Sequence, residues 1–82
     1  MRLTAKEISV RSQMGRRLRG MRGSESLRTV GRRAHLSYAY LSEVEHGEKS
    51  ITLLALARWV RALGCSLREF AQDVSTLDTY KR

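Results

Sequence analysis

The sequence contains no proline, a single cysteine and only five aromatic residues, one Trp, one Phe and three Tyr. One cysteine excludes a disulfide framework and fits a reducing cytoplasm, the expected location. No apolar run approaches the roughly 20 residues that a membrane span requires, and the N-terminus shows no signal-peptide core. A membrane partner is not expected, because no segment sets a basic face against a strong apolar face of Trp, Phe and Leu. His35 and His46 lie far from Cys65 at no zinc-ligand spacing, so no metal is expected. No nucleophile and base stand together and no glycine-rich phosphate loop occurs. This argues against an enzyme and gives no reason to expect a cofactor. In 82 residues there is no room for a separate sensing domain, and a small-molecule ligand is not expected.

Basic charge is abundant. Sixteen Lys and Arg oppose eight Asp and Glu, for a net charge of +8. A small domain this basic points to nucleic acid, and arginine suits both phosphate and guanine contacts. Such a short chain buries only about 60% of its unfolded surface, so one thin core is expected.

The apolar pattern is helical, and nothing alternates as a strand does. Thr4 and Glu7 have capping-box spacing and open a first helix, extended at its N-terminus. Val10, Met14, Leu18 and Met21 form its apolar face, and Gly23-Ser24 ends it. Ser26 caps a second helix from about Leu27 to Arg33, with Leu27, Val30 and Ala34 inward. After the turn His35-Leu36-Ser37, Ser37 caps a third helix reaching about Glu45, anchored by Leu41 and Val44. Gly47 closes it in the left-handed conformation. Thr52 caps a fourth helix whose stripe is Leu53, Leu56, Val60 and Leu63, stopped by Gly64. Ser66 caps a fifth, with Leu67 and Phe70 inward, and Cys65 is expected to pack in the core. Residues 1–74 read as one domain and 75–82 as a frayed or dimer-forming tail.

Two short helices joined by a tight turn in a basic chain are a helix-turn-helix candidate. From about Met14 to Phe70 the sequence resembles the Cro/repressor-type helix-turn-helix family. Gly15, Leu18 and Arg22 carry the resemblance in helix 1, and Ser26-x-x-x-Val30 in helix 2. Ser37-x-x-x-Leu41-Ser42-x-Val44-Glu45-x-Gly47 carries it through helix 3, and Leu53-x-x-Leu56-x-x-x-Val60-x-x-Leu63-Gly64, then Ser66-Leu67, beyond it. The sequence departs from the family at a shortened helix 1–2 loop, at His35 for the usual glycine, at Ile51 for a proline and at Leu27 for a glutamine. His35 must therefore take a positive φ, which His tolerates better than most side chains. Leu27 removes a phosphate contact, and this change together with the tyrosines of helix 3 leaves the target DNA sequence unreadable.

The resemblance implies an all-α, compact five-helix domain of the lambda-repressor-like kind with a central helix-turn-helix. It implies a sequence-specific DNA-binding transcription regulator, a repressor or phage-type switch, that inserts helix 3 in the major groove of double-stranded DNA. Tyr38, Ala39, Ser42 and Glu43 are the expected base-reading residues. Ser26, Arg28, Ser37, Tyr40, His46, Lys49, Arg16, Arg17 and Arg19 are the expected phosphate contacts. Arg22 and Glu45 are expected to pair and fix helix 3 in register. Leu54, Trp59, Val74, Leu77 and Tyr80 are candidates for a homodimer surface. The rival readings are an antitoxin or adaptor module on the same fold, which would bind polymerase, a toxin or another regulator, and a non-specific architectural DNA binder.

Overall fold

The computed structural model describes residues 2–72. These form five helices in the order α1 (Ala5–Arg22), α2 (Leu27–Ala34), α3 (Tyr38–Glu45), α4 (Leu53–Ala62) and α5 (Leu67–Gln72), and no strand occurs among the described residues.

Each start is set by a local side-chain bond. The Thr4 hydroxyl accepts from Glu7 N–H at 3.1 Å while Glu7 Oε1 accepts from Thr4 N–H at 2.8 Å, a complete capping box. Ser26, Ser37 and Thr52 each accept the N–H three residues on, at 3.1 Å, and open α2, α3 and α4. Ser66 and Glu69 repeat the reciprocal bonds before α5. The stops are left-handed residues: Gly47 has φ +74° and Gly64 has φ +79°.

The core is built from Leu18, Val30, Leu41, Val44, Leu56, Trp59, Val60 and Phe70, all buried. α1 packs on α3, α2 on α3 and α4, and α4 on α5. Leu27, Leu63, Leu67 and Cys65 pack against this core from partly buried positions.

Two expectations for α4 are corrected. Trp59 is 0% exposed and lies at the centre of the core, so it contributes no dimer surface. Leu53, placed on the inner stripe by its spacing, is 73% exposed. The buried face of α4 is instead Ala55, Leu56, Trp59 and Val60. The helix is apolar on nearly two adjacent faces, and burying the indole, its largest side chain, sets the rotation. The expected 1–74 domain boundary, and the tail candidates Val74, Leu77 and Tyr80, lie outside the described residues.

Candidate nucleic-acid interface

The second helix of the helix-turn-helix is held from three directions. Leu41 and Val44 seat it in the core at 0% and 1% exposure. Its far end is tied by an ion pair: Arg22 Nε donates to Glu45 Oε2 at 2.8 Å and Arg22 Nη2 to Glu45 Oε1 at 2.9 Å. The third arm of the same guanidinium, Nη1, donates to the Glu25 carbonyl at 2.7 Å. One side chain thus joins the end of α1, the α1–α2 loop and the last turn of α3. The fork geometry suits this, since guanidinium and carboxylate meet in a plane by two parallel bonds. The hydrogen bond to Glu45 raises the Arg22 pKa above the ordinary arginine value, against the lowering effect of burial. The pair's Arg side therefore stays charged at every pH below the arginine range.

The third hold is backbone on backbone. At Gly15, α1 lies so close to α3 that a Cβ there would stand 2.2 Å from the Val44 carbonyl oxygen and 2.9 Å from that of Glu45. Only a residue without a side chain allows this approach. The turn between α2 and α3 is equally tight. His35 takes φ 59° and ψ 43°, left-handed, and Leu36 N–H reaches back to the Gly31 carbonyl at 3.0 Å. A Cβ at Gly31 would meet the Leu36 carbonyl at 2.7 Å.

These contacts leave the start and outer face of α3 open. Tyr38 is 50% exposed and Ala39 is exposed, while Ser42 and Glu43 are partly buried. The Arg28 guanidinium, from the first turn of α2, lies over the Tyr38 ring at 5.1 Å. Arg28, Arg32, His35, Ser37 and Tyr38 line one groove beside the start of α3. Arg32 was not among the expected contacts. The signal was present: Arg32 is four residues from Arg28 and shares its helix face.

The remaining residues divide by what already engages them. Lys49 Nζ pairs with Glu43 at 3.4 Å and lies over the Tyr40 ring at 5.9 Å. The Tyr40 hydroxyl accepts from Thr52 N–H at 3.3 Å, which joins α3 to the start of α4. His46 Nδ1 lies 2.7 Å from the Ser42 carbonyl, so that nitrogen carries the hydrogen and donates it. The Ser26 hydroxyl accepts from Thr29 N–H and also donates to Thr29 Oγ1, and Ser37 is spent on the α3 cap in the same way by Tyr40 N–H. On α1, Arg16 and Arg19 are exposed and Arg17 is partly buried. Leu54 is 64% exposed beside Leu53 at the start of α4.

Arg33 was also missed. Its Nη1 donates to the Ala62 carbonyl at 2.6 Å, capping the end of α4, and its Nη2 pairs with Glu25. No local pattern joins positions 29 residues apart. Among the described residues no group of His, Cys, Asp and Glu could hold a metal ion, and no helix is long and apolar enough to cross a membrane.

What the site can do follows from its charge and shape. It offers a short helix with a protruding, exposed N-terminal end, flanked by arginines on the preceding helix. Such a surface fits a polyanion whose groove admits a helix. A family model described as Helix-turn-helix matches residues 25–70. A solved structure, the clp gene regulator ClgR from C. glutamicum, is similar with a TM-score of 0.73 and 31% sequence identity, over 80% of this chain and 87% of that one. No curated protein matches the chain. The matched family and the solved relative both point to regulators rather than enzymes, and the chain belongs to the Cro/repressor-type helix-turn-helix family of DNA-binding transcription regulators.

Proposed function

We propose that the protein is a sequence-specific regulator that reads DNA with α3 in the major groove. The observation that carries this is the division of α3 into a fixed side and an open end. Leu41, Val44 and Glu45 are buried, whereas Tyr38 and Ala39 are exposed. A rigidly held helix presenting its first turn is what base-edge contacts require. Ala39 suits contact with a thymine methyl, and Tyr38 a base edge or phosphate. Arg28 and Arg32 supply phosphate contacts from α2 and hold the register without reading sequence.

Ser42 and Glu43 extend the reading surface, with Glu43 able to accept from cytosine N4. Ser26, Ser37, Tyr40 and His46 approach phosphates through backbone N–H groups or remaining hydrogen-bonding capacity, and Lys49, Arg16, Arg17 and Arg19 add charge. Regulation acts by occupancy at a promoter, as a repressor or switch protein. As a homodimer, the protein would span half-sites about 34–36 Å apart, one turn of DNA. Leu54 remains a candidate for that contact. The adjacent exposed pair Leu53 and Leu54 also favours a second reading, an adaptor that docks another protein.

The test is selection of bound duplexes from a random DNA library at about 150 mM salt, near the physiological ionic strength. An enriched motif that is lost in Tyr38→Ala and Ala39→Glu, with the thermal melt unchanged, supports the reading. No enrichment overturns it. Enrichment that survives both substitutions moves the reading surface off α3.

A further inference from the structure

A second concave site lies away from the open end of α3. A cavity of about 230 Å³ opens between the N-terminal turns of α1 and the α3–α4 loop. Val10, Met14, Val44 and Ile51 supply its apolar lining, and Arg11 and Lys49 are the cations on it. We infer that this cavity binds a small apolar carboxylate and that its occupancy is felt by the DNA-reading helix.

Three observations specify the ligand. The volume is below the roughly 300–1,000 Å³ of pockets for drug-sized molecules, so the occupant is a short alkyl chain of about eight carbons or a single ring. The lining is mainly apolar, so the body of the ligand is apolar. Arg11 and Lys49 specify the head group, because the two cations on the lining call for an anion, and a carboxylate is the planar acceptor that a guanidinium fork matches. Glu7, the one acidic residue on the lining, is held by Thr4 N–H in the α1 capping box.

The coupling follows from Lys49. It lines this cavity and also pairs with Glu43 on α3, across the Tyr40 ring. A bound carboxylate competes for Lys49. Glu43 then loses its counter-charge and presents a free carboxylate beside the bases. This second step rests on α3 being the reading helix, whereas the binding itself does not.

The experiment is a titration of the ¹⁵N-labelled protein with sodium octanoate, kept below its micelle concentration, with octanol and octylamine as neutral and cationic controls. The expected result is saturable octanoate binding with amide shifts at Val10, Met14, Val44 and Ile51. Arg11→Gln weakens octanoate about tenfold, as loss of charge-assisted hydrogen bonds implies, and leaves octanol unaffected. Ser50→Trp, at an exposed position on the rim, blocks binding without changing the thermal melt. The site is overturned by no saturation, by equal responses to all three ligands, by shifts that map elsewhere, or by wild-type octanoate affinity in Arg11→Gln. Repeating the DNA selection with saturating octanoate tests the coupling. A changed base preference that disappears in Glu43→Gln supports it, and an unchanged motif overturns it. If the protein selects no duplex at all, the α3 reading fails while the titration still decides the site.

Discussion

Replacing Gly15 by alanine should separate α1 from α3 and destabilise the protein, although alanine is the better helix former. Propensity alone favours the substitution by about 1 kcal/mol. The new methyl, however, would stand 2.2 Å from one backbone carbonyl oxygen and 2.9 Å from the next. Ordinary contact begins near 3.4 Å, so α3 must retreat by more than an ångström. Neither obstacle is a side chain that can turn away. Overpacking of this kind costs about 1–3 kcal/mol and more where backbone must move, so the net loss should be about 2 kcal/mol. For a domain of this size that lowers Tm by about 8–16 °C. Gly20→Ala is the internal control. It lies on the same helix with nothing within 4 Å of a new Cβ, and should gain about 0.5–1 kcal/mol. Urea and thermal melts followed by circular dichroism measure both. A Gly15→Ala protein as stable as the Gly20→Ala protein would refute the close approach and, with it, the account of how α3 is held.

Three further outcomes are expected. Arg22→Met leaves the Glu45 carboxylate, whose side chain is 3% exposed, buried without its partner. It should cost about 3–5 kcal/mol, and Arg22→Met with Glu45→Leu should recover most of that; equal losses in urea melts of the two proteins would show that the pair is not the cause. Arg28→Ala should lower the slope of log affinity against log salt by about 1, measured by anisotropy on an enriched duplex between about 50 and 200 mM salt; an unchanged slope removes Arg28 from the phosphate contacts. His35→Gly should relieve a left-handed non-glycine residue and raise stability by about 0.5–1 kcal/mol, unless the native turn is not at φ 59°, in which case melts show a loss.

Local features were legible because their causes are local. Thr4, Ser26, Ser37, Thr52 and Ser66 each satisfy an N–H three residues away, so a reader of the chain can place every helix start. The left-handed His35 was expected only because the resembling family places a glycine at that turn position, and the structure has it at φ 59°. α4 shows the limit of local reading. Leu53, Leu54, Leu56, Trp59, Val60 and Leu63 offer two overlapping apolar stripes, and periodicity cannot choose between them. The candidate site divides similarly. Tyr38 and Ala39 could be placed at the exposed start of α3 by counting from Ser37. The partners of Lys49, Arg28 and Arg33 could not, because each depends on the distance between different elements.

The amino-acid order alone therefore determined five capped helices, a tight turn, and a basic chain suited to DNA. Each follows from interactions within a turn or two of helix, or from charge summed without regard to place. The tertiary structure alone decided which face of α4 is buried, how closely Gly15 lets α1 approach α3, and that Lys49 is shared between Glu43 and the cavity under α1. Those depend on the angle and separation of helices, which are set when large side chains such as Trp59 and Phe70 compete for one small core.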